Sequence, residues 1–301
     1  MIELIRSSIR GFEVPYEGDY SMSDAIGHSD LRAIASCPHR WRFGVKKVTA
    51  NDAMKCGSLV DGLLFGVGLE RFVVRPDRYT NEKNEVKPWN ANANACKEWL
   101  ADNQGYDIIS EETKVEALKA VSVLKADTDI ANLLNGAQHQ CWLEGVFHDS
   151  DTGLDVTVRG LVDCVPSMNG GYAKFLADLK TTNDATASRW WRKCEDMWYH
   201  VQGALYLDLF NMATEQQRTG FLHVVQENKA PYEVARYELS DGALRLGRAQ
   251  YKKALETYAR CLASGQWQGH NAESIGWDLI EPDAYAEIRA GVPPEDSDLP
   301  W

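Results

Sequence analysis

The sequence has no C-x-C or C-x-x-C pair. Its seven cysteines stand singly at 37, 56, 96, 141, 164, 194 and 261. An odd, scattered set argues against a disulfide framework, a zinc ribbon or an iron–sulfur cluster, and for reduced, mostly buried thiols. No apolar run reaches about 18 residues, so no transmembrane helix and no membrane partner are expected. The opening stretch "MIELIRSSIRGFEVPYEG" lacks the charged-then-apolar pattern of a secretory signal, and a cytoplasmic location is the expectation. Internal repeats and low-complexity blocks are absent too. Positive charge is in short supply: 32 Lys and Arg against 44 Asp and Glu give a net charge of −12. That balance would usually count against binding a polyanion.

What is present is the composition of a globular protein. The 301 residues are 44% apolar and 25% charged, enough for one large domain or two small ones. The charge is unevenly spread. Between Glu273 and Asp298 there are eight acids and one base, Arg289, so this stretch supplies −7 of the total. Between Leu31 and Asn51 lie Arg32, Arg40, Arg42, Lys46 and Lys47 with no acid. Arg189, Arg192 and Lys193 surround Trp190 and Trp191. Binding follows local potential, so an acidic whole is compatible with a basic groove.

Periodicity divides the chain. Residues 1–27 read as an extended leader. "HSDLRAIASCPHRW" opens a short helix with Ser29 as N-cap and Pro38 as its stop. "DAMKCGSLVDGLLFGVG" is a second, closely packing helix with Asp61 in its middle, and "SEETKVEALKAVSVLKAD" an amphipathic one capped by Ser110. "RFVVRP" reads as a short strand, and a helix is expected around Trp89–Ala101. "HQCWLEGVFHD" and "LDVTVRGLVDCVP", joined by "SDTG", form a hairpin signal, and "YAKFLADLKTT" adds a third strand. A long helix over 185–213, two strands and a last helix ending near residue 264 follow. This order predicts an α/β domain with a central mixed β-sheet flanked by helices. The remainder reads as an acidic tail, 266–301.

The chemistry sits in "FLADLKTT". Residues two apart on a strand share a face, so Asp178 and Lys180 stand side by side. Asp163 ends the preceding strand. Acids at the ends of apolar strands need partners, and two such carboxylates suit a divalent cation with oxygen ligands. A lysine beside them would orient or deprotonate a water, or offset charge on a phosphate. Alone, D-x-K is a weak pattern, and strand-end turn acids with a solvated lysine are its commoner explanation. In the following helix Tyr199, Gln202 and Tyr206 share a face, which is also what plain amphipathic packing would give.

Taken together these segments resemble the PD-(D/E)XK nuclease superfamily, whose core is restriction-endonuclease-like. Within it they are most similar to the RecE-type, exonuclease VIII-like phage recombination exonucleases. The resemblance runs from about Ser23 to Tyr258 and is carried in order by "SDLRAIASCPHRWRF", "GSLVDGLLF", "LEGVF…TVRGLVDCV", "FLADLKTT", "YHVQGALYLD" and "VVQENKAPYEVARYEL". It implies that Asp163 and Asp178 ligate metal and that Lys180 is the catalytic lysine. Asp61 stands where the family usually has His, or Glu in some relatives; a metal ligand of a different type is the expectation there. Gln202 and Tyr206 would support the lysine and the scissile phosphate. Glu144 is a further catalytic candidate, or else a hairpin acid paired with Arg159. The implied domain is 28–265, the cofactor Mg2+ with Mn2+ as substitute, and the activity digestion of duplex DNA ends 5′→3′.

The implied partners are double-stranded DNA ends, a RecT-like single-strand annealing protein and a homo-oligomeric ring, in a phage- or prophage-encoded protein of the bacterial cytoplasm. Ser29 at a helix start, with Arg40 and Arg42, is the candidate holder of a terminal 5′-phosphate. A capped helix with solvated arginines is the alternative. Arg189, Trp190 and Trp191 are the candidates to stack on bases, although several of ten tryptophans must be core. "PPEDSDLPW" resembles the tail peptide of bacterial single-strand-binding proteins, or is a solubilising tail. Two rival functions remain: a RecB-like or CRISPR-associated single-strand nuclease, and a non-catalytic DNA-end-binding module on a nuclease fold.

Overall fold

The structure is a computed structural model and describes residues 1–10, 25–44, 51–214 and 216–270. Its elements run β1 (Ile2–Arg10), α1 (His28–Ser36), α2 (Pro38–Phe43), α3 (Asp52–Phe65), β2 (Phe72–Val74), β3 (Arg78–Thr80), β4 (Val86–Pro88), α4 (Asn94–Asp102), β5 (Asp107–Ile109), α5 (Glu111–Ala126), α6 (Thr128–Leu134), β6 (Gln138–Asp149), β7 (Leu154–Val165), β8 (Phe175–Thr182), α7 (Ala187–Met197), α8 (Tyr199–Ala213), β9 (Gly220–Glu227), β10 (Val234–Glu238) and α9 (Asp241–Ser264).

A six-stranded sheet in the order β1-β6-β7-β8-β9-β10 forms the centre. All neighbours are antiparallel except β8 and β9, so the sheet is mixed. The β6–β7 hairpin is built by alternation: Val156, Val158 and Val162 point inward while Asp155 and Thr157 face water. Its turn places Gly153 at φ +70, and the Asp149 carboxylate accepts the Thr152 N–H and O–H at 3.2 and 2.7 Å.

Helices cover both faces. On one side α1, α8 and α9 pack with Leu176, Val158, Val162 and Phe221. On the other, α3, α5 and α6 pack with Ala177, Leu179 and Val224. The alternation along β8 therefore sends Ala177 and Leu179 to one layer, and Leu176, Asp178 and Lys180 to the α8 side. Helix α8 is buried almost all round, between the sheet and α9, which is why its sequence is apolar without a stripe. Two glycines permit that sandwich. A Cβ at Gly203 would come within 2.9 Å of the Phe221 ring, and one at Gly247 within 2.6 Å of the His200 carbonyl oxygen.

The structure departs from the sequence reading in four places. Residues 2–10, expected as leader, are the edge strand β1 paired with β6. The chain beyond α9 stays packed on α2 through Trp267 and Gln268, so the body extends past the expected boundary at 265; residues 271–301, most of the expected tail, lie outside the described residues. The long helix over 185–213 is two helices, broken at Trp198, whose φ of +61 is left-handed. Ser29 is not the N-cap of α1: Gly27 is, and Asp30 reaches back to accept the Gly27 N–H at 2.9 Å. Ser110 does cap α5, accepting the Thr113 N–H at 3.0 Å.

Candidate active site

Strand β8 carries Asp178 and Lys180 on the face toward α8, and the two form an ion pair. Asp178 is 2% exposed and Lys180 18%. Beside them the β7–β8 ladder is nearly absent, with Cys164 opposite Ala177 as its pairing. Asp163 supplies what the ladder does not. One carboxylate oxygen accepts the Leu179 backbone N–H at 3.1 Å and the other accepts Gln140 Nε2 at 3.2 Å. A buried N–H must find an acceptor, and here a side chain serves in place of a strand. Gln140 sits opposite Asp163 with φ +53, at the gap in the β6–β7 register between His139–Cys164 and Cys141–Val162. The alternation slips there: Val162 faces the α8 layer while Cys164 faces the α5 layer.

Helix α3 brings the third acid. It crosses the end of β8 so closely that a Cβ at Gly57 would meet Thr181 Oγ1 at 2.9 Å. Asp61, one turn on, lies near enough to Asp178 and Lys180 for each to bias its ionisation. Burial pushes Asp61 up to about 7, Lys180 opposes that and Asp178 adds to it. Asp163 is raised well above the carboxylate range, first by burial and then by Asp178 and Asp61. Burial works against the Lys180 ammonium, but Asp178 and Asp163 outweigh it and its pKa is raised. The site thus holds three carboxyl groups that repel one another and one fixed ammonium.

Helix α8 lines the remaining side. Gln202 Nε2 donates to Asp178 at 3.4 Å and to the Tyr206 hydroxyl oxygen at 3.2 Å, and the Gln202 side-chain oxygen is buried without a hydrogen bond. Tyr206 is itself buried and fits over Gly160, where a Cβ would stand 2.5 Å from its ring. It reaches the site through Gln202. The ring of Tyr199 faces Lys180 Nζ at 4.9 Å from its centroid.

Sequence reasoning missed two residues here. His28 Nε2 meets the Trp198 carbonyl at 2.9 Å, and burial, with Lys180 and Arg32 nearby, lowers it to about 4, so it is neutral. His223 pairs in register with Asp178 and is fully buried behind it. A histidine inside the apolar run of β9 was the available signal for the second.

Other expected residues lie elsewhere. Glu144 pairs in register with Arg159, four residues from Asp163 along β7, roughly 13 Å away. It lies apart from the Asp163, Asp178 and Lys180 cluster, and the hairpin alternative fits its position. Trp190 is 3% exposed, stacked on Tyr199 at 5.5 Å and edge-on to His223, so it is core and not a DNA-facing ring. Its neighbour Trp191 is 38% exposed. Arg189 is exposed and 3.9 Å from Asp184. Ser29 is exposed in the first turn of α1. Arg40 donates to Ser36 Oγ at 2.8 Å, and Arg42 lies over the Trp267 ring at 5.6 Å.

A cation fits this set by donor chemistry. The donors are oxygens, of the kind a hard divalent ion takes, and the Asp163 and Asp178 carboxyls are within hydrogen-bonding reach of one another, which needs a proton or a cation between them. Among the described residues no three His, Cys, Asp or Glu side chains are gathered closely enough to hold a metal ion together. An open pair of carboxylates with a third nearby leaves room for water and phosphate oxygens.

A mixed sheet between helical layers, with acid and lysine two residues apart at the end of a central strand, defines a PD-(D/E)XK-type nuclease fold. Residues 20–275 match the family described as "PDDEXK-like domain of unknown function (DUF3799)", and the chain belongs to that family. The fold is also that of a candidate exonuclease from Eubacterium rectale, whose crystal structure aligns with TM-score 0.53 and 12% identity over 89% of this chain and 94% of that one. Rai1 from Scheffersomyces stipitis aligns at 11% identity over 92% of this chain and 84% of that chain, but its TM-score of 0.27 is too low to bear on the fold. No curated protein matches the chain. Nucleases of this superfamily typically use divalent metals. Among the described residues no helix is long and apolar enough to cross a membrane.

Proposed function

We propose that the chain is a Mg2+-dependent exodeoxyribonuclease that hydrolyses phosphodiester bonds from duplex DNA ends, 5′→3′, in the manner of the RecE-type enzymes it resembles. The observation that carries this reading is the shared face of Asp178 and Lys180 at the point where Asp163 takes the Leu179 N–H. Asp178, Asp163 and Asp61 would hold the cation, with Mn2+ as substitute. When bound, such an ion polarises a phosphate and makes water a better nucleophile. Gln202 fixes the Asp178 carboxylate, with Tyr206 behind it. Lys180, kept charged by its acids, directs a positive charge at the attacked phosphate and orients the water by donating to it. In the metal-free protein its proton is held more tightly than in a free lysine, because Asp178 and Asp163 outweigh the effect of burial.

By the same reading the exposed 3′ strand passes to a single-strand annealing protein, a ring-shaped oligomer keeps the enzyme on its track, and the protein works inside a bacterial cell as a phage- or prophage-encoded enzyme. The test is linear duplex DNA labelled at one end or the other and incubated with Mg2+. Early release of the 5′ label supports the proposal. Early release of the 3′ label overturns the polarity, and DNA binding without cleavage in Mg2+ or Mn2+ favours the binding-module reading.

Adjacent tryptophans separate core from DNA contact. Trp190→Ala should cost about 3–5 kcal/mol of stability in urea unfolding, as expected for emptying a core site. Trp191→Ala should cost less, about 1 kcal/mol for the ring contact with His200 at 5.7 Å, and weaken binding of single-stranded DNA by about 1–3 kcal/mol, read by fluorescence anisotropy in EDTA.

A further inference from the structure

Beyond Ala177 strand β8 has a bare edge. Its pairing with β7 stops at Cys164–Ala177. Along a strand the hydrogen-bonding groups of successive residues point to opposite edges. The Thr182 carbonyl faces the β9 side, where it accepts the Asn228 N–H at 2.8 Å. Leu179 and Thr181 therefore present theirs on the β7 side, where the ladder is missing. Asp163 takes the Leu179 N–H at 3.1 Å. The Thr181 carbonyl goes to a second charged side chain, for Lys193 Nζ donates to it at 3.0 Å. Lys180 stands between the two residues so bonded.

Lys193 comes from α7, whose place is fixed by its buried residues. Trp190 and Cys194 pack with Val225, and Trp190 stacks on Tyr199, the ring that faces Lys180. The Lys193 side chain is partly buried and forms no ion pair among the described residues. Glu195 and Asp196, exposed on the same helix, make no ion pair with it. Burial, and then the charge of Lys180, lower its pKa, so the two ammonium groups lie within electrostatic reach. A lysine has three N–H donors, of which the Thr181 carbonyl uses one. The charge of Lys180 is balanced by Asp178 and Asp163. That of Lys193 is left for an incoming anion.

We propose that Lys193 forms a phosphate-binding subsite, holding a backbone phosphate of the DNA strand next to the one attacked at Lys180. The assignment rests on the nuclease reading above. The bond to Thr181 sets where the charge sits, so the substrate strand is drawn along the gap between β7 and β8. Lys193 touches substrate but not the reacting atoms. Its effect therefore falls on binding and not on the chemical step.

The test compares the full wild-type chain with four variants. Lys193→Gln keeps a donor for Thr181 without the charge, Lys193→Met keeps the stem, and Lys193→Arg keeps the charge. Lys252→Gln removes the same net charge from an exposed position on α9. Binding of a short labelled duplex is read by anisotropy in EDTA over a salt series, and cleavage of linear duplex DNA in Mg2+ gives KM and kcat. The two neutral Lys193 variants should bind about tenfold more weakly at low salt, and their dependence of log K on log salt should be flatter by about one unit. KM should rise to match, with kcat within about threefold of the wild type. Lys193→Arg should recover most of both, and Lys252→Gln should shift neither. Unfolding of both neutral variants, or a lower melting temperature with slope and KM unchanged, makes Lys193 a prop for Thr181 and overturns the subsite. An equal slope change in Lys252→Gln also overturns it, because net charge would be responsible. So does a loss of kcat with KM and binding unchanged. If the wild type neither binds nor cuts DNA, the nuclease reading fails and the subsite falls with it.

Discussion

Lys180→Ala is expected to lower hydrolysis of linear duplex DNA by about 10³-fold or more, because the variant loses the only ammonium paired with Asp178 among the described residues. The position is tightly specified. Its carboxylate neighbours keep the lysine charged, and the Tyr199 ring covers it at 4.9 Å. Without it, Asp178, Asp163 and Asp61 face one another with no positive charge between them, so one must take a proton or the site must open. A stability loss of up to about 3 kcal/mol should accompany the rate loss, since a buried carboxylate is left without its partner. Thermal melting separates the two effects. A variant still folded at the assay temperature but inactive points to chemistry, and DNA binding in EDTA should persist. A variant with more than a tenth of wild-type activity would show that the lysine is a structural ion-pair partner only.

Asp178→Asn should be as damaging to activity and much gentler to the fold. The change removes the Asp178 charge that, after burial, raises the Asp163 pKa, so Asp163 can ionise in its place as the anion beside Lys180. Metal-free stability should therefore stay within about 1 kcal/mol of the wild type. The response to metal should differ. Mg2+ at 100 times its dissociation constant stabilises a folded protein by about 2.7 kcal/mol, and the wild type should show the matching rise in melting temperature. Asp178→Asn should lose most of it. Equal Mg2+ responses in the two proteins would place the cation elsewhere.

The part of this site that follows the simplest periodicities was legible in the sequence. Asp178 and Lys180 share a face because strands repeat every two residues, and Gln202 and Tyr206 meet because helices bring i and i+4 together. The β6–β7 hairpin and the α5 cap were equally local. What escaped depends on contacts between distant residues. Strand β1 is mostly exposed and earns its place by pairing with β6, more than a hundred residues on, so its pattern resembles a free leader. Trp190 and Trp191 are neighbours, and which of them turns inward is set by the packing of α7 against Tyr199 and His223. The break at Trp198 has no Gly or Pro to announce it. Asp163 was expected as an acid at a strand end, but its substitution for a ladder bond to Leu179 requires the splayed β7–β8 pair to exist first.

The most direct test compares linear with covalently closed circular duplex DNA, using wild-type protein freed of metal by chelation and then given Mg2+. The account predicts that nucleotides are released from the linear form alone, that release needs the added Mg2+, and that Lys180→Ala releases none. Absence of hydrolysis with either Mg2+ or Mn2+, or equal hydrolysis by the wild type and Lys180→Ala, would contradict it.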